Sequence, residues 1–232
     1  MEKCQVSEDA SVLEVGCGMG YLNKCHKNWR GVEYSSTAVR RAKELFGQNL
    51  RIHQGDARQL PVETGSIDFL FSFATVEHIP DVELAFEEIG RVLRPGGIAL
   101  IAAAWNCRPW TVKKLQIRPY SDLSLADRLK KALVPVRNHL AWRALFILPG
   151  RIKRELLLFF RRECGLDYKK MFPDLSLNER FPRISDDDAF VSIDAHAALA
   201  YWVSRGWKSV SHPGFFQRVM VRGEEIVVLK NY

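Results

Sequence analysis

Short apolar runs alternate with helical patterns through residues 1–107, and this alternation constrains the fold more than any other feature of the sequence. The apolar runs predict strands at 11–15, 31–34, 50–53, 67–71 and 98–103. Stretches with helical spacing of apolar residues predict helices at 21–27, 36–46 and 82–93. Strands that alternate with helices are typical of βαβ units, in which helices connect parallel strands. We therefore predict an α/β domain with a parallel sheet.

A second group of elements follows after a long interruption. Residues 195–204 predict a helix, and residues 208–211 and 225–229 predict two strands. Because no helix is predicted between these strands, we expect them to form an antiparallel hairpin at the edge of the sheet. The sequence thus divides into a first part at 1–107, an insert at 108–183, and a last part at 184–232 that completes the domain.

The insert is expected to be helical. Its apolar spacing predicts helices at 124–134, 138–148 and 152–163. Pro135 and Pro149 are expected to end the first two of these helices, because proline removes a backbone donor and clashes with the preceding turn. The insert is therefore predicted to add helices after the fifth strand rather than to extend the sheet.

The positive charge of the chain is concentrated in this insert. The net charge is +7 at pH 7. Residues 108–183 contain 18 Lys and Arg against 7 Asp and Glu, whereas residues 1–107 contain 11 against 14 and residues 184–232 contain 5 against 6. Such a segment either faces an anionic partner or is a solvated helical face.

The composition excludes several classes of protein. An apolar content of 47% can bury the core of one domain, which excludes a disordered chain. No apolar run approaches the roughly 18 residues of a membrane span, and the first ten residues lack the apolar segment of a secretory signal. The five cysteines are scattered without a C-x-x-C pair, so we expect reduced thiols rather than disulfides or a zinc site. We expect a cytoplasmic protein.

A glycine-rich turn directly after the first strand carries the most specific signal for a binding site. Residues 14–20 read Glu-Val-Gly-Cys-Gly-Met-Gly, a G-x-G-x-G spacing that is one residue tighter than that of dinucleotide sites. Two further acids, Glu33 and Asp56, follow the next two strands, and Glu33 lies 17 residues after Gly16, where a carboxylate can accept hydrogen bonds from ribose hydroxyls. Three acids at one crevice favour a ligand with an ammonium or sulfonium group, a ribose and an adenine over a dinucleotide.

At these residues the chain resembles the class I S-adenosylmethionine-dependent methyltransferases, in particular the group with the type 11 methyltransferase domain. The similar stretches are VLEVGCGMG (12–20), GVEYS (31–35), GDARQLP (55–61), IDFLFSFATVEHIPD (67–81) and EEIGRVLRPGG (87–97). They cover most of residues 11–105 in the order and spacing of the family. The resemblance implies a Rossmann-like fold with a seven-stranded, mostly parallel sheet, an antiparallel last strand, and S-adenosylmethionine as cofactor.

The resemblance also implies roles for individual residues. Glu14 and the backbone of Gly16 and Gly18 would face the methionine part of the cofactor. Glu33 would face the ribose, and Asp56 would accept a hydrogen bond from the adenine amino group. The complete candidate set for the cofactor, whose last two members would line the cleft at the end of the fourth strand, is Glu14, Gly16, Cys17, Gly18, Glu33, Tyr34, Asp56, Ala57, Ser72 and Phe73.

Methyl transfer to a hydroxyl requires a base, and a neutral histidine suits this role. The favoured candidate is His78, because its loop is expected to border the cofactor cleft. His196 and His212 are the alternatives, although they are expected to be a surface residue at a helix start and a turn residue. Some quinone methyltransferases of this family bind a metal with this histidine and neighbouring acids. Here the residue two before Glu77 is Thr75, so we expect no metal.

The acceptor is expected to be a small molecule or a glycan. Residues 185–186 and 193–207 loosely resemble methyltransferases that are found with polysaccharide-assembly enzymes, which favours O-methylation of a sugar, including a lipid-linked one. Because only about ten residues precede the first strand, the insert is expected to act as a lid over the cofactor. Four aromatic residues are expected either to line an acceptor pocket or to belong to the core: Trp105, Trp110, Tyr120 and Trp142.

The basic insert leaves several partners open. Residues 123–162 have the basic amphipathic pattern of a segment that contacts an anionic membrane peripherally, here at the inner membrane surface, or that binds a phosphate-bearing acceptor. The net positive charge also favours a nucleic-acid methyltransferase, but the chain lacks the N/D-P-P-Y/F motif of base-amino methylases, and the insert is too apolar for an exposed basic arm. A last alternative is a non-catalytic protein that binds S-adenosylmethionine or a membrane without turnover.

Overall fold

The computed structural model describes residues 6–223 and 225–231. Its longer strands follow the apolar runs of the sequence, because a strand inside an α/β domain is buried on both faces. The strands in these residues are β1 (Val12–Val15), β2 (Trp29–Glu33), β3 (Ile52–Gln54), β4 (Ile67–Phe73), β5 (Leu93–Ala102), β6 (Tyr168–Lys170), β7 (Val191–Ile193), β8 (Lys208–Ser209) and β9 (Ile226–Leu229).

Seven of these strands form one sheet in the order β3-β2-β1-β4-β5-β9-β8. β1 to β5 are parallel, and Val12 of β1 pairs with Trp29 of β2 and Phe69 of β4. β9 is antiparallel to both β5 and β8, so the predicted mostly parallel sheet with an antiparallel last strand is confirmed. The strand order reverses at β1, and ligands bind outside the carboxyl ends of the strands at such a point.

Helices pack on the sheet and fill most of the segment between β5 and β7. They are α1 (Ser36–Phe46), α2 (Val82–Val92), α3 (Pro109–Val112), α4 (Leu125–Ala132), α5 (Val134–Asn138), α6 (Leu140–Phe159), α7 (Leu177–Arg180), α8 (Ala195–Ser204) and α9 (Phe215–Val219). Two short 3-10 helices lie at Val76–His78 and Tyr120–Asp122. The helices predicted at 36–46, 82–93 and 195–204 are confirmed as α1, α2 and α8, and those from α3 to α6 confirm that the insert after the fifth strand is helical.

The core lies on both faces of the sheet, because alternate residues of β1 belong to different clusters of buried side chains. Leu13 and Val15 pack in the cluster that includes α2 and α8. In that cluster the rings of Phe86 and Trp202 stack with their centroids 5.3 Å apart. Val12 packs in the other cluster, which includes α1. The sheet is therefore covered by helices on both sides, as the parallel arrangement requires.

Residues 21–27 form turns, and the prediction of a helix there is wrong. Tyr21 and Leu22 are exposed, so this segment buries no apolar face that could stabilise so short a helix. The side-chain amide of Asn23 donates instead to the Gly20 carbonyl at 2.7 Å, which stabilises a turn. A second correction concerns the hairpin of β8 and β9, in which α9 lies where no helix was predicted.

α6 continues through Pro149, where the sequence predicts the end of one helix and the start of another. The side chains of Arg151 and Glu155, just after the proline, are buried. Arg151 donates to the Asp194 carboxylate at 2.5 and 2.9 Å, and Glu155 lies 3.1 Å from the imidazole of His196. These contacts with the start of α8 stabilise the continuous helix against the roughly 3 kcal/mol that an interior proline costs.

β6 and β7 form a separate two-stranded antiparallel sheet that was not predicted. Strands of three residues are too short to show a period of two in the sequence. The backbone N–H of Phe190, next to β7, donates to the Glu77 carbonyl at 2.8 Å, so this region is joined to the 3-10 helix after β4. Among the helices of the described residues, none has the length and apolar content that a membrane span needs.

Candidate functional site

A cavity of about 550 Å³ opens at the carboxyl ends of β1 and β2, where the strand order reverses. The turns that follow β1, β2, β3 and β4 all contribute to its wall. We call it the donor cavity. Of the residues that the sequence singles out, those that line it are Gly16, Gly18, Glu33, Tyr34, Asp56, Ala57 and His78.

Gly16 allows the turn after β1 to pass close to the end of β4. Its φ angle is +75°, in a region that favours glycine. A Cβ atom at this position would lie 2.2 Å from both Cγ2 and Oγ1 of Thr75. The Thr75 side chain is itself held, because its hydroxyl donates to the Phe73 carbonyl at 2.8 Å. The turn therefore requires glycine here for two separate reasons, the backbone angle and the close approach.

Glu33, at the end of β2, holds the same turn from the other strand. Its carboxylate accepts the Gly18 N–H at 2.9 Å and the Ser35 N–H at 2.8 Å. A carboxylate offers about four lone-pair positions, so two of these bonds leave capacity for hydroxyl groups in the cavity. Glu33 thus fixes the glycine-rich turn and also presents acceptor oxygen atoms to the donor cavity.

Asp56, which follows β3, forms a two-pronged ion pair with Arg58, a residue that the sequence analysis missed. Arg58 Nη2 lies 2.6 Å from Asp56 Oδ2, and Arg58 Nε lies 3.0 Å from Oδ1. The hydrogen bonds from Arg58 hold the pKa of Asp56 below its usual range. Asp56 is therefore an ionised acceptor on the cavity wall. The Asp-Ala-Arg order at 56–58 could have indicated this local pair.

Glu14 lies off the wall of the donor cavity, contrary to the expectation that its carboxylate faces the cofactor. The residue is only 5% exposed, and its Oε2 accepts the indole N–H of Trp29 at 2.8 Å. Burial raises the pKa of Glu14 to about 7, although the hydrogen bond from Trp29 acts in the opposite direction. In the described structure the hydrogen bond from Trp29 to this carboxylate joins β2 to β1.

Cys17, Ser72 and Phe73 also lie off the wall of the donor cavity. Cys17 is buried. A Cβ atom on Gly31 of β2 would lie 2.5 Å from its Sγ, so the close approach of β2 to Cys17 requires glycine at position 31. The Ser72 hydroxyl is buried and donates to the Val15 carbonyl at 2.9 Å, which joins β4 to β1. Ser72 and Phe73 were expected to line the cleft, but Ala74 and Thr75, the next two residues of the chain, occupy that position.

His78 lines the donor cavity from the 3-10 helix after β4. Its Nδ1 lies 3.3 Å from the carbonyl oxygen of Asp188. Because a carbonyl can only accept, this contact favours a proton on Nδ1 and leaves Nε2 as the acceptor. Nε2 lies 3.9 Å from Oε1 of Glu77, a buried carboxylate whose pKa is raised by burial. The Glu77 carboxylate thus lies near Nε2 of His78, and the Asp188 carbonyl orients the ring through Nδ1.

The other two candidate histidines are not on the donor cavity wall. His196 is fully buried, which corrects the expectation of a surface position, and Arg218 donates to the same Glu155 carboxylate at 2.6 Å. Burial alone would raise the pKa of Glu155, but the hydrogen bonds from Arg218 and His196 lower it to about 2. His212 is buried with its Nδ1 2.8 Å from the Ser211 hydroxyl. In the described part of the chain, no group of His, Cys, Asp and Glu could hold a metal ion.

The four aromatic residues near the insert lie in different environments. Trp110 is buried in a small apolar cluster and belongs to the core. Trp105 lines a second, polar cavity of about 460 Å³. Tyr120 and Trp142 are exposed. None of the donor cavity's lining residues belongs to the segment 108–183, so the described residues do not form the expected lid.

The fold and the donor cavity define the class of protein. A parallel sheet whose order reverses at β1, a glycine-rich turn after that strand and an acid at the end of the next one suit a ligand that carries a nucleoside. Residues 13–101 match a family described as a methyltransferase domain. Over residues 13–101 the chain is thus similar to the methyltransferase domain family, and its sheet and donor cavity are those expected of a class I S-adenosylmethionine-dependent methyltransferase.

The relatives of this chain are methyltransferases. It is 35% identical over 105 residues to the 2-methyl-6-phytyl-1,4-hydroquinone methyltransferase of Synechocystis, which covers 42% of this chain and 33% of that protein. It is 29% identical over 130 residues to the chloroplastic tocopherol O-methyltransferase of Arabidopsis thaliana, covering 52% and 37%. An S-adenosylmethionine-dependent methyltransferase structure from Aquifex aeolicus aligns with 22% identity and a TM-score of 0.40 over 46% of this chain and 62% of that chain. The chain spans about a third of the length of these two curated relatives.

The residues of the donor cavity fit S-adenosylmethionine, the methyl donor of this family. A cavity of about 550 Å³ has the size of small-molecule and cofactor sites. Glu33 has acceptor capacity for ribose hydroxyls, and the ionised Asp56 has it for an exocyclic amino group. The charge of Asp56 is balanced by Arg58 on the same wall, so the carboxylate of Glu33 is the one that favours a ligand with a positive charge.

Proposed function

We propose that the protein transfers a methyl group from S-adenosylmethionine to a hydroxyl group of a small-molecule acceptor, and that this acceptor is a sugar. The observation that carries the proposal is the position of His78, which lies on the donor cavity wall with Nε2 as its proton acceptor. A relative named as a tocopherol O-methyltransferase supports a small-molecule acceptor with a reactive oxygen. The sugar is supported by the resemblance of 185–186 and 193–207 to methyltransferases of polysaccharide assembly.

The cofactor, when bound, supplies a methyl group on a positively charged sulfur. Glu33 and the glycine-rich turn hold and orient it, and such alignment can supply several kcal/mol of the barrier. Nε2 of His78 accepts the proton of the acceptor hydroxyl, which makes that oxygen a stronger nucleophile. The imidazolium that results lies 3.9 Å from Glu77 Oε1 and 3.6 Å from Asp188 Oδ1, so both carboxylates stabilise it.

The variant His78→Gln tests this role. We expect kcat to fall about 10²- to 10⁴-fold, because glutamine cannot accept the proton, while the Kd for S-adenosylmethionine stays unchanged. The matched control is His53→Gln, an exposed histidine of β3 that is not among the lining residues of the donor cavity. Turnover is measured on a panel of nucleotide-linked and lipid-linked glycans. Full activity of His78→Gln would exclude the histidine as the base, and failure to methylate any glycan of the panel would exclude the sugar.

We propose as a second part of the function that residues 123–162 contact an anionic membrane. α6 and the residue after it carry exposed apolar side chains with helical spacing, among them Phe146 at 64% and Phe159 at 79% exposure. This spacing places them along one side of the helix, opposite the buried Arg151 and Glu155. The full exposed set on this side is Trp142, Leu145, Phe146, Ile152, Leu156, Phe159 and Phe160.

Basic side chains lie within this apolar face and beyond its C-terminal end. Lys153 lies within it, and Arg161 and Arg162 follow the end of α6. A helix with an apolar side and a basic border is typical of segments that lie in the interface of an anionic bilayer. A second copy of this chain would bring two equally basic borders together, which disfavours self-association through this face.

Flotation with vesicles of equal parts phosphatidylcholine and phosphatidylglycerol tests the membrane contact. We expect the protein to float at low salt, and the double variant Leu145→Gln/Phe146→Gln to remain in the soluble fraction. The control is Leu45→Gln, an exposed apolar residue of α1. Absence of flotation at low salt, or a dimer in solution that the double variant dissociates, would contradict the proposal.

A further inference from the structure

The second cavity, of about 460 Å³, lies beside the end of β5 and the first half of α6. Its wall combines an aromatic ring, neutral amides, an acid and two arginines from distant parts of the chain. The residues on which the argument depends are Trp105, Asn106, Arg108, Gln116, Arg143 and Asp186. Nothing in the proposed methyl transfer has yet used this cavity.

Arg108 and Arg143 are the residues of this cavity that most strongly indicate an anionic ligand. In the described residues neither forms an ion pair with a carboxylate, whereas Arg151, Arg154 and Arg218 of the same region all do. The Arg108 guanidinium lies over the ring of Trp110, 5.9 Å from its centroid, a cation–π contact that uses none of its N–H groups. Two guanidinium groups on one wall favour a ligand with two negative charges, and phosphate esters match their fork geometry.

The other residues of the cavity suit a sugar. An indole ring offers an apolar face to a pyranose, and amides and carboxylates hydrogen-bond hydroxyl groups. Asn106 and Asp186 both adopt left-handed backbone conformations, with φ angles of +58° and +62°. Among residues other than glycine, asparagine and aspartate adopt this conformation most readily. Here both residues line the same cavity.

Glu77 connects segments that line the two cavities. Its Oε1 accepts the Ala104 N–H at 3.1 Å, and its carbonyl accepts the Phe190 N–H at 2.8 Å. Phe190 lines the donor cavity, and Asp186, four residues earlier, lines the second one. The residue after Ala104, Trp105, also lines the second cavity. A ligand in the second cavity therefore lies next to the element that carries His78.

We propose that the second cavity binds the phosphate or diphosphate ester of the acceptor sugar, with Arg108 and Arg143 on the phosphate and Trp105 against the ring. This inference rests on the proposed function for the identity of the acceptor. The binding itself requires no turnover. The same chemistry is present in a nucleotide-linked sugar and in a lipid-linked sugar.

Calorimetric titration with glucose, glucose 1-phosphate, uridine diphosphate glucose and farnesyl diphosphate glucose tests the inference. We expect the phosphate esters to bind and free glucose not to bind measurably. Arg108→Gln and Arg143→Gln are each expected to raise the Kd for glucose 1-phosphate by about 10- to 100-fold, the effect of losing a charge-assisted hydrogen bond. Arg41→Gln is the matched control, because it removes an exposed arginine of α1 that lines neither cavity.

Binding of S-adenosylmethionine, measured on each variant, shows that the variant is folded. Tighter binding of the nucleotide-linked or the farnesyl-linked probe supports the inference and identifies the source of the phosphate. The inference is overturned if no phosphate ester binds the intact protein, if the arginine variants bind as well as the intact protein, or if Arg41→Gln weakens binding equally. Phosphate binding without methyl transfer would retain the inference and reject the proposed function. Methyl transfer that is unaffected in the arginine variants would retain the proposed function and reject the inference.

Discussion

Gly16→Ala is expected to abolish measurable binding of S-adenosylmethionine. The new Cβ would lie 2.2 Å from two side-chain atoms of Thr75, so either the turn after β1 or the end of β4 must move. The positive φ of +75° adds a strain of roughly 1–2 kcal/mol for any residue other than glycine. Because both segments line the donor cavity, we expect its shape to be lost even where the rest of the sheet remains folded.

Two further variants separate the causes of this effect. Gly65→Ala introduces a side chain at a similar φ of +65° with no atom within 4 Å, so it should reproduce the backbone strain and retain binding. The double variant Gly16→Ala/Thr75→Gly removes the clash and should restore part of the affinity. Calorimetry and thermal melting measure both properties. Unchanged affinity in Gly16→Ala would show that the close approach of the two segments is not required for the donor site.

Arg151→Ala is expected to lower the free energy of unfolding by about 3–5 kcal/mol, the usual cost of removing one partner from a buried ion pair. The residue is 6% exposed. Its guanidinium donates to Asp194 and also to the carbonyl oxygen atoms of Val219 and Val221, at 2.6 and 2.7 Å. The substitution would leave a buried carboxylate and two carbonyl groups with fewer donors. The control is Lys153→Ala, which should change stability little, because Lys153 follows Arg151 by two residues but is exposed.

The pH dependence gives a second readout for this variant. Burial raises the pKa of Asp194, but the contacts with Arg151 hold it below its usual range overall. Without Arg151 the folded-state pKa of Asp194 should rise, although Arg154 still lies 3.5 Å from its carboxylate. The stability deficit should then be largest at neutral pH and should shrink as the pH falls through the usual range of aspartate pKa values, because protonation removes the charge that has lost its partner. A deficit under 1 kcal/mol, or one that does not change with pH, would contradict this role for the ion pair.

The part of the fold that could be predicted from the sequence is the part that local periodicity encodes. The strands of 1–107 and the helices α1, α2 and α8 were predicted because each buries a regular set of apolar residues over its own length. The continuity of α6 could not be predicted, since it depends on the contact of Arg151 with Asp194, 43 residues away in the chain. The burial of His196 was missed for the same reason, because its partner Glu155 lies in another helix.

The candidate site shows a similar division. Seven of the residues predicted from motif spacing lie on the wall of one cavity. They lie together because the ends of parallel strands meet at one edge of the sheet. Spacing does not show at which residue a strand ends, and Ser72 and Phe73 were therefore expected on the wall at the position that Ala74 and Thr75, the next two residues, occupy. Arg108 and Arg143 were counted within the basic charge of the insert. Their common cavity depends on how α6 packs, which local sequence does not reveal.

The distribution of anchors along α6 has a mechanical consequence. Its buried residues in the described chain, Arg151 and Glu155, both follow Pro149, and a proline in a helix leaves the carbonyl four residues earlier without its donor. Among the described residues, the first half, which carries Arg143, thus has no fully buried side chain to anchor it, and a helix bends most readily at a proline. A tilt of this arm would widen or narrow the cavity of Arg143 while the walls of the donor cavity, to which α6 contributes no residue, keep their shape.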